Sequence, residues 1–355
     1  MLQMLLQNSE NGNVFDITSV VSDIQITTEI EGQAGKLTFF TLKDDVLKIS
    51  SGSRLQVKWG DKGIFFGYVF NTQTDKKGNI KVTAYDQLRY LKNTDFYINK
   101  GETLAQTFEK ECTKFNLQYK IEEDSQYVVP PKLFDGKSIY DILKYSVEAN
   151  LRGKKKYYII YDDYGTIKLN NIENLRTGYV IGDYSMATDY RYSKSIDKDT
   201  YNQILLFTES KDDSGRIISN QQIAKDSDNQ KRWGVLQLAK KVNEKATQQE
   251  ITDFAKNLLS LYNRERETLT INAIAIPNDN DVWDIRAGAG IFIDISSALG
   301  DIGTTQTTDK EGKKAIKREM YIISRCTHAL KNENYHTLRL DIIKETMTPQ
   351  EKAGG

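Results

Sequence analysis

The sequence predicts an α+β protein that is mainly β, with two related small antiparallel β-barrels joined by an α+β module. Alternating apolar and polar residues between glycine turns fill residues 14–86 and return after residue 200, which is typical of half-buried strands. Helical spacing of apolar residues interrupts this pattern within 97–185 and again after Thr247. A glycine turn followed by an alternating strand also occurs twice, as GSRLQVKW at 52–59 and GAGIFIDI at 288–295.

The length of 355 residues, at about 150 residues per domain, predicts two to three domains. We place the boundaries where the dominant period changes. The expected parts are a first β-barrel domain (1–96), an α+β connecting domain (97–185), a second β-barrel domain (186–345) with an inserted helix (247–265), and a C-terminal tail (346–355).

Three helices are predicted from their apolar stripes and their capping residues. Thr103 precedes a stripe that runs from Leu104 to Phe115, and Ser138 precedes a second stripe that ends near Val147. Thr247 and a glutamate three residues later form a capping box before the third stripe. Between the second and third helices, residues 157–161 and 166–169 flank a turn of sequence DDYG and predict a hairpin.

The repeated glycine-strand phrase continues similarly in both halves of the chain. Residues 67–70 and 80–86 follow the first copy, whereas 320–323 and 337–341 follow the second. Two related barrels would explain this similarity, and so would the general likeness of any two β-meanders. Two polar stretches, 209–222 and 301–317, have the Ser, Thr, Gly, Asp and Lys content of loops and are expected to protrude.

Composition argues against several function classes. Lys and Arg total 49, as do Asp and Glu, so no net charge favours nucleic acid or an anionic membrane. Cys112 and Cys326 lie far apart in apolar-patterned segments, which favours reduced thiols made in a cytoplasm. The start, MLQMLLQN, lacks the basic region of a signal peptide, and no apolar run approaches a membrane span.

The only mixed cluster of potential metal ligands or catalytic groups contains Cys326, His328 and His336. Cys326 and His328 share one face of a presumed strand, and His336 lies across a possible hairpin turn. A fourth ligand at a recognisable spacing is missing, so ordinary strand residues are the favoured interpretation. We therefore predict no metal, no cofactor and no catalytic residue.

Carboxylates and glycines give no stronger indication of catalysis. Acidic pairs such as Asp162 with Asp163 occur where turns are expected, although sequence spacing cannot reveal a glycosidase pair. The glycines at 288 and 290 lack the third glycine and the helix of a dinucleotide site. The alternatives to a structural role are a cell-wall hydrolase or a carbohydrate- or receptor-binding module, for which Trp59, Trp233 and Trp283 would be candidate platforms.

Five phrases in order resemble the XkdQ/YqbQ-type proteins of phage-like elements, which are similar to the late control D family and to contractile-tail hub proteins. The first is fairly specific and the others gain weight from their order. They are VTAYDQLRYLKN (82–93), GKSIYDIL (136–143), WGVLQ (233–237), IRAG (285–288) and HTLRL (336–340).

The resemblance implies a structural, non-enzymatic baseplate hub of a phage tail, a tail-like bacteriocin or a prophage particle. Its subunits would form a homotrimer with two similar barrels each, which gives a pseudo-six-fold ring between a hexameric tail tube and a trimeric spike. Expected partners are the tube protein, the spike protein and other baseplate subunits, met during virion assembly after synthesis in the bacterial host cytoplasm. Candidate contacts are the predicted protruding residues Asp75, Lys77, Asp301, Thr304, Lys310 and Lys313.

Overall fold

A computed structural model describes the chain over residues 1–30, 33–44, 46–211, 214, 217–242, 247–276, 279–296, 300–308, 314–332 and 335–344. About 50% of the described residues lie in strands and 21% in helices, so the predicted α+β, mainly β class is confirmed. Two compact units are present. The first comprises Met1–Arg191 with Thr270–Glu345, and the described part of the second is Tyr192–Leu269.

Within the described residues, the first half of the chain contributes twelve strands, and buried positions alternate with more exposed ones along strands such as Leu2–Gln7 and Lys36–Leu42. They are β1 (Leu2–Gln7), β2 (Val14–Asp16), β3 (Val21–Glu29), β4 (Lys36–Leu42), β5 (Arg54–Trp59), β6 (Lys62–Thr74), β7 (Asn79–Tyr85), β8 (Thr94–Asn99), β9 (Tyr119–Ile121), β10 (Lys132–Ser138), β11 (Tyr158–Asp163) and β12 (Thr166–Asn171).

The second half contributes the remaining described strands. They are β13 (Arg176–Gly182), β14 (Ala187–Ser195), β15 (Gln203–Phe207), β16 (Ser210–Lys211), β17 (Ile217–Ile218), β18 (Gln221–Lys225), β19 (Gln237–Lys241), β20 (Arg266–Ile274), β21 (Gly290–Asp294), β22 (Thr304–Thr308), β23 (Lys314–Arg318), β24 (Met320–Asn332) and β25 (Tyr335–Lys344).

The predicted helices form with the predicted caps. Helix α1 (Leu104–Lys114) begins in a capping box at Thr103, and Ser138 caps α2 (Ile139–Lys154). Their apolar faces pack with the predicted hairpin β11–β12 around a core that includes Phe108 and Tyr158. The other helices are α3 (Ser227–Trp233), α4 (Gln248–Tyr262) and short 3₁₀ segments at Thr18–Val20, Gln87–Lys92, Ile172–Leu175 and Asp281–Asp284.

The second unit has a small core of its own. Strands β18, β15 and β19 form one sheet, and α4 lays its apolar face on it. Ile204 and Leu206 of the sheet are buried against Ile251, Ala255 and Leu258 of the helix. Thr247 caps α4 in the predicted capping box. The predicted domain boundaries and the number of barrels stay predictions.

Most other strands belong to one large sheet in which a strand order recurs. Its main path is β14-β20-β25-β24-β3-β4-β7-β6-β5-β1-β2, and β21 joins it by pairing with β24. We call β3, β4, β7, β6 and β5 the first repeat, and β14, β20, β25, β24 and β21 the second repeat. In each repeat the strands follow this same spatial order, and in each the chain visits them in the same sequence.

Hydrogen bonds match between the repeats position by position. The Gly52 N–H donates to the Val69 carbonyl at 2.7 Å, and the Gly288 N–H donates to the Ile323 carbonyl at 2.8 Å. Both glycines have positive φ, +82° and +87°, which other residues rarely adopt. One residue beyond Val69 and one beyond Ile323, each long strand carries an irregularity in its pairing with the next strand. The two sequence phrases therefore occupy equivalent places.

Two polar stretches contain paired strands where the sequence predicted loops. In 301–317, β22 pairs with β23, and in 209–222, β16 pairs with β17. Threonine recurs along β22, and its β-branched side chain favours extended backbone. In 301–317, counting threonine only as a loop residue caused the wrong prediction.

Candidate functional site

The predicted Cys326, His328 and His336 cluster is a buried hydrogen-bonded group. His328 Nε2 lies 2.7 Å from the Ile285 carbonyl oxygen, which can only accept, so this nitrogen carries the proton. His328 Nδ1 then accepts from His336 Nε2–H at 2.9 Å. The Cys326 thiol also donates to the Ile285 carbonyl, at 3.1 Å.

Trp283 stacks on the two histidines, and their burial keeps both rings neutral. The Trp283 ring stacks on His328 and His336 at centroid distances of 4.5 and 4.7 Å. Burial lowers the pKa of His328 to about 3, with the charge of His336 adding to the effect, and burial lowers the pKa of His336 to about 4. Both ring nitrogens of His328 are engaged, so it serves the core as a hydrogen-bonding side chain. Within the described residues no group of three or more His, Cys, Asp or Glu side chains is arranged to hold a metal ion.

A second buried polar group contains Asp86 and Asp162. Asp86 caps the short helix after β7 because its carboxylate accepts from the Leu88 N–H at 3.0 Å and from the Gly35 N–H at 2.9 Å. A Cβ at Gly35 would lie 2.2 Å from the Asp86 carboxylate, so this contact requires glycine. Asp162 accepts from the Gly165 N–H at 2.9 Å.

The electrostatics of these two acids follow from their burial. Burial, and then the charge of Asp162, raise the pKa of Asp86 well above its usual value. Burial raises the pKa of Asp162 to about 7. Their cavity of about 70 Å³ also contains Arg286, and it is far smaller than the roughly 300 Å³ at which ligand pockets begin. The pair therefore orders backbone and has no room for a sugar.

A larger open cleft of about 630 Å³ lies between the 3₁₀ segment at 281–284 and strand β13. Its acids are already paired with lysines. Asp163 lies 2.6 Å from the Lys168 ammonium, and Asp284 lies 2.7 Å from the Lys62 ammonium. The described carboxylates of this cleft are therefore held in ion pairs with lysines at an open surface.

The predicted contact residues Asp75 and Lys77 lie in the exposed turn between β6 and β7. The Asp75 carboxylate accepts from the Lys77 N–H at 2.8 Å and from the Asn79 N–H at 3.0 Å, which orders the turn. Hydrogen bonds from Asn79 hold the pKa of Asp75 below its usual value. Lys77 is exposed, so the turn presents a charged surface.

The other predicted contacts lie at the β22–β23 hairpin. Asp301 is exposed and precedes β22, and Thr304 is half-buried where β22 begins. Lys310 and Lys313 fall outside the described residues. The described candidates therefore lie at two separate places. Asp75 and Lys77 are in the turn between β6 and β7 of the first repeat, and Asp301 and Thr304 are at the start of β22, between β21 and β24 of the second repeat.

Sequence reasoning missed Trp283 as the centre of the histidine stack and Asp86 as a buried cap. Trp283, named from the sequence as a candidate binding platform, is only 8% exposed, and its ring partners are contributed by β24 and β25. Asp86 lies inside the phrase 82–93, directly before a helical segment, and that position is the available signal for a cap.

A comparison with family models finds one match, which spans residues 24–343 and is described as YQBQ-like. The chain belongs to the YQBQ-like family. No curated protein matches the sequence.

Solved structures with the same fold as this YQBQ-like protein include tail proteins, one of them from a prophage. A 43 kDa tail protein of prophage MuSo2 from Shewanella oneidensis has a TM-score of 0.66 at 14% identity, covering 98% of this chain and 99% of that chain. A tail protein from Neisseria meningitidis MC58 has a TM-score of 0.64 at 13% identity, with 99% and 98% covered. A Francisella PdpA–VgrG complex has a TM-score of 0.53 at 12% identity, with 98% and 58% covered.

The shared fold extends over nearly the whole length of this YQBQ-like chain and of both tail proteins. At these identities the likeness establishes the fold. Across the helices that the structure describes, none combines the length and apolar character needed to cross a bilayer.

Proposed function

We propose that the chain is a structural baseplate hub subunit of a phage tail or tail-like contractile particle. Three copies form a ring with pseudo-six-fold symmetry that joins a hexameric tail tube to a trimeric spike. The observation that carries this proposal is the recurrence of strand order, glycine hydrogen bonds and strand irregularity in two repeats of one chain.

Symmetry explains why such a repeat suits an adaptor. A trimer can contact six equivalent tube subunits only when each of its chains offers two equivalent surfaces. The two five-strand repeats would supply two such surfaces within a single chain. The similarity to prophage tail proteins and to a PdpA–VgrG complex supports the same assembly context.

The same proposal gives the exposed turns a role as contacts with baseplate neighbours. Asp75 and Lys77 extend from the first repeat, and Asp301 and Thr304 lie beside the second. Charged and polar groups at an interface rim set register and association rate more than affinity. Substituting them should therefore slow assembly without unfolding the chain.

The proposed role is mechanical, without catalysis. The buried acids bond to backbone N–H groups, and the acids named in the open cleft pair with lysines. A cell-wall degradation assay on the purified protein tests this directly. We expect no turnover; robust hydrolysis abolished by replacing one carboxylate would overturn the structural assignment in favour of a tail-associated hydrolase.

Light scattering tests the assembly itself. The proposal expects a particle of three chains, three times the 40.6 kDa chain mass, that binds the tube protein and the spike protein of its own particle. A chain that stays monomeric at high concentration and binds neither protein would refute the hub assignment.

A further inference from the structure

Among the described strands, β14 has one edge without a pairing partner. Each repeat begins with its outermost strand, β3 in the first and β14 in the second, and β3 pairs with β4 as β14 pairs with β20. The second edge of β3 pairs with β24, whereas β14 ends the sheet and has no second neighbour within the described strands. The β3–β24 pairing therefore shows the contact that an outermost strand can make, and β14 lacks such a contact within the described strands.

Part of β6 also has an edge without a partner among the described strands. This part is equivalent to the segment of β24 that pairs with β3. On the side of β6 that faces β5, pairing ends at the hydrogen bonds between Val69 and the Gly52–Ser53 turn. Beyond it, residues 71–74 pair only with β7 in the described structure, and all four are exposed. They have the sequence NTQT, without the charge or proline that usually protects a sheet edge.

The matching hydrogen bonds fix how the repeats align. Val69 corresponds to Ile323, because each exchanges two hydrogen bonds with its glycine turn, so Gln73 corresponds to Thr327. In β24 the segment from Arg325 to Leu330 pairs antiparallel with β3. The open edge of β6 thus occupies the position that binds an outermost strand in the second repeat.

The contact between β3 and β24 combines main-chain and side-chain bonds. The Ile30 N–H donates to the Ser324 carbonyl at 3.0 Å, where the long strand is irregular. The hydroxyls of Thr27 and Thr327 lie 3.0 Å apart across the pair. On β3, Thr27 is buried beside β24, whereas the equivalent Tyr192 on β14 and the neighbouring Tyr190 remain half-buried.

We propose that β14 of one copy pairs antiparallel with residues 71–74 of β6 in a second copy, repeating between chains the β3–β24 contact found within one chain. The inference rests on the proposed ring and specifies which strands close it. Each copy has one edge of each kind, so the contact is head-to-tail and closes a ring when the rotation allows. Tyr190 and Tyr192 become covered as β14 gains its neighbour.

Disulfide trapping tests the pairing in the full chain. Thr27, the partner of Thr327, lies six residues after the start of β3, and β3 carries an irregularity between Ser22 and Gln25. We count six residues from Ala187, where β14 begins, and subtract the one extra residue of β3. This gives Tyr192 as the residue of β14 that faces Gln73. We combine Gln73→Cys with Arg191→Cys, Tyr192→Cys or Ser193→Cys in turn, since a disulfide forms only when the Cα atoms are within about 7 Å. Native Cys112 and Cys326 are buried.

The matched control combines Gln73→Cys with Val14→Cys on β2, the exposed strand at the other end of the sheet path. We expect at least one β14 variant to give cross-linked dimer and trimer on a non-reducing gel, and nothing larger, while the control stays uncrosslinked. Equal cross-linking of the control would overturn the proposal, because the contact would then be nonspecific.

The remaining outcomes separate this inference from the proposed hub. A trimer by light scattering with no cross-link at 191, 192 or 193 overturns the strand pairing and leaves the hub standing. Specific cross-links that continue beyond the trimer keep the strand pairing and overturn the closed ring. A chain that stays monomeric, forms no cross-link and binds neither the tube protein nor the spike protein overturns both.

Discussion

His328 and His336 share one hydrogen bond inside an apolar stack, which couples their charge state to folding. Burial lowers both pKa values, to about 3 and about 4, so the folded protein keeps both rings neutral while the unfolded chain takes up protons below about pH 6.5. A lowered pKa means that this contribution is fully present above pH 6.5 and is lost as pH falls toward 4.

We predict that His336→Phe weakens this pH dependence. The phenylalanine ring can still stack on Trp283, but it cannot take up a proton, and it leaves His328 Nδ1 without a donor. At pH 8 the variant should lose about 1–3 kcal/mol of unfolding free energy. Urea denaturation at several pH values between 4 and 8 measures both effects; an unchanged pH slope would contradict the account of the histidine pair.

Glu111 on α1 has the opposite pH dependence. Its side chain is 1% exposed, and burial, with a contribution from Asp95, raises its pKa to about 7. A raised carboxyl pKa favours the folded state at low pH, and this contribution is lost as pH rises from about 4.5 to about 7.

We therefore predict that Glu111→Gln increases stability above pH 7, on the order of 1 kcal/mol. Glu109→Gln is the matched control, because Glu109 is exposed on the same helix and an amide oxygen there can still accept from the Tyr119 hydroxyl. Thermal melts at pH 5 and pH 8 should show a gain for the first variant at pH 8 only. A gain of the same size from the control would disprove the burial argument.

At this scale the sequence predicted part of the polar core. The strand-and-turn spacing brought Cys326, His328 and His336 into one candidate group, and the two histidines do touch. Trp283 and the Ile285 carbonyl could not be placed there, because they come from a 3₁₀ segment some 40 residues away. Only tertiary packing brings that segment to β24.

Secondary-structure elements with local signals were predicted well. Helices α1, α2 and α4 begin at the predicted capping residues, and the hairpin β11–β12 follows its turn sequence. Short parallel pairs such as β9 with β12 and β13 with β21 were not predicted. Their partners are far apart in sequence, and no turn residue announces such a pairing.

The two glycine turns provide a prediction at the scale of the elements. Both have positive φ, but a Cβ at Gly288 would lie 2.1 Å from Ile159 Cδ1, whereas a Cβ at Gly52 meets nothing closer than 3.7 Å. Gly52→Ala should cost about 1–2 kcal/mol from backbone strain alone, and Gly288→Ala should cost more because Ile159 must move. Equal losses in denaturant unfolding would contradict the described packing of the second turn.

For the molecule as a whole, the repeat is the feature that sequence detected least completely. Two phrases, at 52–59 and 288–295, indicated it, and they sit at equivalent turns and strands. The pairing of β3 with β24 joins residues about 300 positions apart. The alternation of apolar and polar residues predicts which face of a strand is buried, but it does not identify the distant strand that pairs with it.

The sequence also predicted only part of the separate unit at Tyr192–Leu269. The sequence predicted its helix as an insertion into a barrel domain, and the structure gives that helix a three-stranded sheet and its own buried core.

The central claim is that each chain contributes two equivalent parts to one ring. Class averages of negatively stained particles, combined with the particle mass from light scattering, test it most directly. The account predicts rings with six similar lobes around a central channel. Rings with three lobes, or six-lobed rings that contain six chains, would contradict it.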